Sequence, residues 1–237
     1  MAVYTKINNN DVLSLGKNYN IDKIIKYEGI KKGIENTNYL LKTNKKKFIL
    51  TIFEKRVKKK DLPFFMSLME KLNQKKIICP RPLKGKKDRH LYEIKKKPAC
   101  IVTFLEGADK TNLNYKNCFD IGKNIAKFHK VTNQLKLYRH NSMSVRKLDI
   151  LLKSIKFKSN EMFPRLKPIL STCLKDIKSR WPKKLPEGII HGDLFIDNIF
   201  FNKNKFSGFI DFYFSSNDYL MYEIAICINS LCFDKRN

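Results

Sequence analysis

The sequence predicts an α+β chain, with antiparallel strands through roughly the first hundred residues and helices through most of the rest. Three observations carry that reading. Short apolar runs separated by Gly-, Lys- or Pro-containing turns recur at 24–29, 39–41, 48–53, 91–94 and 99–104, as strands require. Apolar residues at helical spacing take over from 117 to 129, through 145–181 and from 221 to 231. A late stretch, 190–201 followed by 209–212, places a polar turn before each of two short apolar strands.

In chain order, residues 1–20 hold a short helix with apolar positions Val12, Leu13 and Leu15, capped by Asn8 or Asn10. The strand at 24–29 enters a loop containing Gly29 and Gly33, and 39–41 returns. Such a hairpin brings backbone N–H groups close to phosphate oxygens, and Thr37 and Asn38 add donors; it reads equally as a plain hairpin. The strand at 48–53 presents Thr51 in its inward register, with Lys55 and Arg56 just beyond as the nearest cations. Asp61 caps the next helix, Pro63 sits in its first turn, and Phe64, Phe65, Leu68, Met69 and Leu72 line one side. Glu70 on that helix is either the partner of a phosphate-binding cation or a solvated carboxylate. Cys79-Pro80-Arg81-Pro82 ends the element, and after two more strands Leu105-Glu106-Gly107 leaves the sheet.

The helix at 117–129 uses Cys118, Ile121, Ile125 and Phe128, with Gly122 and Ala126 permitting close packing and His129 as a structural histidine at its end. Arg139, His140, Asn141, Ser142 and Arg146 form a polar loop. The helical region 145–181 is broken near Pro164. The loop at 181–186 leads into the strand before His191, and the last helix carries Glu223, which with Asp218 is placed to brace the turn after that strand.

The chemistry concentrates in the two late turns. The first presents His191, Asp193 and Asn198; the second presents Asp211. Phosphoryl transfer to an alcohol needs a carboxylate to take the hydroxyl proton, and an amide oxygen with a second carboxylate to hold Mg²⁺ on the phosphates. Asp193, Asn198 and Asp211 supply that set; a hairpin using Asp and Asn for turn chemistry is the plainer alternative. An acceptor bearing a carboxylate calls for a guanidinium fork, which makes Arg139 and Asn141 the candidate substrate residues.

Composition bounds the rest. The 237 residues suffice for a sizeable core. Forty-nine basic against 22 acidic residues give a formal charge of +27, but the lysines are scattered and no aromatic-spaced basic stripe marks a nucleic-acid surface. The six cysteines form no Cys-x-x-Cys pair and mostly sit among apolar neighbours, as small buried hydrophobes. No signal pattern and no run of about 18 apolar residues is present, so the expectation is a cytoplasmic protein with reduced thiols and no membrane partner.

The pattern His-x-Asp-x-x-x-x-Asn followed by Ile-Asp resembles the catalytic and metal loops of the aminoglycoside phosphotransferase-like kinases, relatives of the protein kinases. Several strings bring the resemblance closer, to the homoserine kinases of that type. They are Met1-Ala2-Val3-Tyr4-Thr5, Gly33-Ile34-Glu35-Asn36-Thr37-Asn38-Tyr39, Phe48-Ile49-Leu50-Thr51, Glu54-Lys55-Arg56-Val57, Asp61-Leu62-Pro63-Phe64-Phe65, Ile101-Val102-Thr103-Phe104-Leu105-Glu106-Gly107, Asp211-Phe212-Tyr213-Phe214 and Ala225-Ile226-Cys227-Ile228-Asn229. The Gly- and Ser-rich phosphate loop of the other kind of homoserine kinase does not occur.

The resemblance implies a bilobal protein-kinase-like fold, with a nucleotide-binding N-terminal lobe over 1–104 and a catalytic, mainly helical lobe over 105–237. It implies transfer of the ATP γ-phosphoryl group to L-homoserine in threonine biosynthesis, with Mg²⁺. Asp193 handles the hydroxyl proton and Asn198 and Asp211 hold the metal. Gly29, Gly33, Thr37 and Asn38 cover the phosphates, Lys55 or Arg56 stands in for the usual strand lysine, with Lys55 the candidate nucleotide contact, and Glu106 lies in the linker at the adenine edge. That family also has Thr at the position of Thr51. Glu223 stands where the family has Asp, and the chain stops at Asn237 where the family continues through several more helices. Two alternatives stay open at this point: a kinase for choline, a sugar or an aminoglycoside, and an inactive truncated remnant. Oligomeric state is not legible.

Overall fold

Period-two alternation along the early strands decides which side chains face which helix. In the computed structural model, which describes residues 3–154 and 166–233, β1 (Ile24–Gly29), β2 (Thr37–Thr43) and β3 (Lys47–Ile52) are consecutive antiparallel neighbours. β5 (Lys97–Thr103) returns beside β3 and β4 (Tyr92–Ile94) closes the edge, so the sheet order is β1-β2-β3-β5-β4. Phe48, Leu50 and Ile52 share one face with Leu41, Ile101 and Ala99, where α1 (Asn9–Tyr19) lays Leu15 and Tyr19. Cys100 and Val102 look the other way, onto α2 (Leu62–Gln74) with its buried Phe65, Met66, Leu68, Met69 and Leu72.

That second core continues without a break into the helical half. α3 (Tyr115–Thr132) contributes Ile121, Ile125 and Phe128. β6 (Glu187–Ile190), β7 (Ile199–Asn202), β8 (Lys205–Phe209) and α6 (Leu220–Leu231) add Ile189, Ile199, Phe201, Phe209 and Cys227. β7 and β8 form a hairpin, and β6 pairs with β9 (Ser216–Tyr219). α4 (Val145–Ser154) and α5 (Leu166–Arg180) pack beside each other, Asp149 of one meeting Lys178 of the other at 2.9 Å.

Asn8 caps α1: its side chain accepts from Asp11 N–H at 3.0 Å while the Asp11 carboxylate accepts from Asn8 N–H at 2.9 Å. Leu13 is exposed, because Val12, Leu15 and Tyr19 share a face and position 13 lies off it. Asp61 begins α2 but does not cap it; its carboxylate takes the Nε–H of Arg139 at 2.9 Å, a charge-assisted bond that outcompetes a helix N–H. Gly122 and Ala126 face solvent, and a Cβ at Gly122 would meet nothing, so they mediate no close packing. Only Cys79, Cys100 and Cys227 are buried; Cys118, Cys173 and Cys232 are exposed, their apolar neighbours lying on the opposite side of each helix or past its end. The break near Pro164 lies outside the described residues.

Just past β3, the Glu54 carboxylate gathers Thr5 Oγ1 at 2.6 Å, Thr37 Oγ1 at 2.8 Å and the Lys97 ammonium. Burial alone would raise its pKa; these donors outweigh it and hold the carboxyl below the ordinary 4.5. The folded protein therefore gives up this proton more readily than the unfolded chain. Glu54's stabilisation is complete above about pH 4.5 and is lost as the pH falls through the folded value. E54Q is expected to lower the melting temperature at neutral pH and to flatten its decline on acidification to about pH 3; an unchanged acid limb in thermal scans would refute the assignment.

Candidate active site

The chain leaves β6 through His191 and Gly192. Gly192 has φ +79°, and a Cβ there would lie 3.1 Å from the Phe214 carbonyl oxygen, so the turn requires glycine. Glu223 of α6, fully buried, accepts from His191 N–H at 2.9 Å, Gly192 N–H at 2.8 Å and His129 Nε2–H at 3.1 Å. The turn is thus tied to α6 and α3 through one carboxylate. His191 is buried, which pushes its pKa down and keeps the ring neutral. Its Nε2–H donates to the Ile210 carbonyl at 2.8 Å, and the ring lies 4.5 Å from that of Phe212. His191 positions the second turn against the first.

Within this frame Asn198 Nδ2–H₂ donates to Asp193 Oδ2 at 2.9 Å and to the Asp193 carbonyl at 2.8 Å. Asn198 Oδ1 has no protein partner among the described residues. Asp211 adopts the left-handed conformation, φ 63° and ψ 63°, at the end of β8. Burial and then the charge of Asp211 push Asp193 up to about 7, while the Asn198 amide and Arg56 pull it back. The Asp211 side chain is open to the cleft, so ligands reach it; the protein packed around it and the neighbouring Asp197 still raise it to about 6. Two carboxylates with raised pKa values, beside an amide oxygen without a protein partner among the described residues, are the kind of donor set a hard dication takes. No cluster of three His, Cys, Asp or Glu side chains suited to a metal occurs among the described residues. A dication held here would have to complete its shell with oxygens from a ligand or water.

Two cavities bear on the site, and Asp193 lines neither of them. One, of about 300 Å³, lies between the sheet and the catalytic turns and is walled by Gly33, Asn38, Thr51, Leu105, Asn198 and Asp211, among others. The other, about 770 Å³, has walls that include Arg56, Asp61, Arg139, Asn141, Arg146 and Asp218. Asp193 feels Asp211 on one side and Arg56 on the other.

The structure brings Gly33, Asn38, Asn198 and Asp211 onto the smaller cavity and Arg139 and Asn141 onto the larger. Gly29 lines neither; its Cα faces Val3, which a Cβ would approach to 2.8 Å. Thr37 is turned away toward Glu54 and the Tyr4 and Thr5 N–H groups. Lys55 is exposed and lines neither cavity; Arg56, the other cation named with it, lines the larger one. The Glu106 side chain points outward to Lys47 at 3.2 Å, while its neighbours Leu105 and Gly107 line the smaller cavity. Glu70 serves Lys84 at 3.0 Å and His90 at 3.4 Å, away from the site. Sequence reading missed the Lys32–Asp109 ion pair at 2.7 Å on the smaller cavity, for no periodicity links residues 77 apart.

Residues 26–237 match the model of the phosphotransferase enzyme family. The chain is 41% identical to a homoserine kinase of Bradyrhizobium diazoefficiens and 40% to one of Sinorhizobium medicae, over 235 residues, 99% of this chain and 72% of each relative. A homoserine kinase of Bartonella henselae is 39% identical over 234 residues, 99% of this chain and 73% of that protein. Among solved structures, an amicoumacin kinase in complex with AMP-PNP, Ca²⁺ and Ami superposes with a TM-score of 0.73 at 18% identity, covering 95% of this chain and 70% of that one. A spectinomycin phosphotransferase in complex with ADP and spectinomycin gives 0.66 at 17% identity, covering 94% and 74%. At that identity the likeness speaks for the protein-kinase-like fold.

Removing Glu223 would orphan two buried N–H groups and His129. E223A is expected to cost about 3–5 kcal/mol of stability, whereas E223D, which shortens the side chain by one methylene, retains most of it. Chemical denaturation separates the two; equal losses would show that the carboxylate is not what braces the turn.

Proposed function

The chain belongs to the phosphotransferase enzyme family, and from that membership we propose that it transfers the γ-phosphoryl group of ATP to the side-chain hydroxyl of L-homoserine, giving O-phospho-L-homoserine for threonine biosynthesis. The observation that carries this reading is the joining of Asp193 to Asn198, which with Asp211 walls the smaller cavity, in a chain about 40% identical to homoserine kinases over nearly its whole length.

In this reading residues 1–104 form the nucleotide-binding lobe and 105–237 the catalytic one. The nucleotide occupies the smaller cavity, its base beside Leu105 and Gly107 and its phosphates under the hairpin at Gly33 and Asn38. The acceptor enters the larger cavity. The acceptor hydroxyl oxygen attacks the γ-phosphorus in line, the bond to the ADP oxygen breaks, and the hydroxyl proton passes to Asp193 Oδ. A carboxyl near pH 7 suits that task, being both ionised and basic enough near neutrality. Asn198 and Asp211 are the side chains to hold Mg²⁺, which when bound neutralises charge on the β- and γ-phosphates. Thr51 Oγ1–H donates to Asn38 Oδ1 at 2.8 Å and fixes the hairpin's return over the cavity.

The acceptor cavity argues against choline or an aminoglycoside. Six cationic side chains, Arg56, Lys58, Lys60, Arg139, Arg146 and Lys147, face three acidic ones, Asp61, Glu187 and Asp218. A cationic acceptor would be repelled, and an amino acid has a carboxylate to offer. We place the reaction in the cytoplasm, in keeping with six unpaired cysteines. The reading requires neither nucleic acid nor lipid; among the described residues no helix is long and apolar enough to cross a membrane.

D193N should lower kcat by about 10²–10⁴ with little change in the KM for ATP. In a turnover assay against homoserine, choline, a hexose and an aminoglycoside, homoserine should be the best acceptor. A flat profile across the panel, or full activity in D193N, would reject the proposal.

A further inference from the structure

We propose that Arg56 binds the α-carboxylate of the acceptor and so sets its hydroxyl against Asp193; the assignment rests on the amino-acid kinase reading above. The six cations of the acceptor cavity differ in how far they are committed. Arg139, to which the sequence points, is spent on the walls. Its Nε–H donates to Asp61 at 2.9 Å, its Nη1–H to the Ser215 carbonyl at 2.9 Å, and its plane lies over Phe65 with 4.9 Å to the ring centre. It is only 12% exposed. Lys58, Lys60, Arg146 and Lys147 are exposed and their side chains carry no hydrogen bond or ion pair among the described residues, so nothing orients them.

Arg56 alone is both oriented and available. Its guanidinium rests on the Phe214 ring at 4.7 Å, three residues beyond Asp211, which fixes its plane beside the catalytic turns. Among the described residues only Nη1 is engaged, by Glu35; Nη2 and Nε have no partner there and remain for a carboxylate, and the side chain is 52% exposed. Its charge acts on Asp193, helping to hold that carboxyl down. Hydroxyl and carboxylate of a four-carbon hydroxy-amino acid lie roughly 5 Å apart by ordinary bond lengths, so an anchor for one must stand close to the base for the other. Arg56 walls the acceptor cavity and is absent from the walls of the nucleotide cavity, which separates this role from gripping phosphate. Glu35 belongs to the hairpin loop between β1 and β2, so acceptor and phosphate cover share one cation.

The test compares L-homoserine with 3-aminopropan-1-ol, the same chain without the carboxylate, in wild type, R56Q, R56K and E35Q. Wild type should favour homoserine. R56Q should lower kcat/KM for homoserine about 30-fold, mainly through KM, as loss of a charge-assisted fork does. The preference over 3-aminopropan-1-ol should collapse with it, the KM for ATP moving less than about twofold. R56K, a point charge without the fork, should fall between, and E35Q should keep the wild-type preference. The assignment is overturned if R56Q keeps the preference, if its defect appears in the KM for ATP, or if E35Q reproduces it, since Arg56 would then only tether the hairpin. Absence of any wild-type turnover of homoserine would instead sink the preceding reading. Calorimetric titration of the two ligands would then judge Arg56 alone, equal homoserine affinity in wild type and R56Q counting against it.

Discussion

One buried carboxylate holds the working parts in register. Glu223 accepts from two successive backbone N–H groups at the start of the catalytic turn and from His129 of α3. A charge with no exposed surface is tolerable only when its lone pairs are filled, and here three donors fill them. The reverse dependence is equally strong: Gly192 N–H and His191 N–H have no ladder partner at the bend and would be stranded without it. α6 and α3 are therefore fixed relative to Asp193 by polar bonds, and the apolar core around Phe128 and Phe212 fills in behind them.

The second constraint is the neutral His191. Because its ring is desolvated, it cannot carry charge cheaply and serves as a donor to the Ile210 carbonyl, just before Asp211. This bond links the two turns that the sequence separates. Asp211 is thereby brought close enough to Asp193 to raise its pKa, a state that favours a counter-cation or a proton. The electrostatic tension of the site is built by neutral scaffolding and not by nearby cations.

How much of this was legible depended on range. Strands at 24–29, 48–53, 91–94 and 99–104, a cap at Asn8 or Asn10 that the fold gives to Asn8, Thr51 as an inward residue and the nearness of Asp193 to Asn198 all rest on local spacing, and local spacing survives folding. Lys55 and Glu106 went astray because the chain direction at a strand end or linker fixes the backbone's place but not where a long side chain turns; each found solvent or a surface partner. Thr37 was claimed by Glu54 and the N-terminal segment, contacts more than 15 residues away that no window contains. Asp61 reads as a cap by position, yet a guanidinium 78 residues on outbid the helix N–H groups.

The two cavities then divide the chemistry by charge. Asn198 has its amide nitrogen on Asp193 and its oxygen without a partner among the described residues, so a single side chain orients the Asp193 carboxylate and leaves an acceptor beside the smaller cavity. Asp193 is thus acted on by an acid that walls the smaller cavity, Asp211, and by a guanidinium that walls the larger, Arg56. A cation arriving at Asp211 would relieve the repulsion that raises Asp193, and an anion arriving at Arg56 would remove the attraction that lowers it. The two ligands act on the same carboxylate with opposite sign, so with both bound their electrostatic effects on its basicity partly cancel, and neither alone sets it.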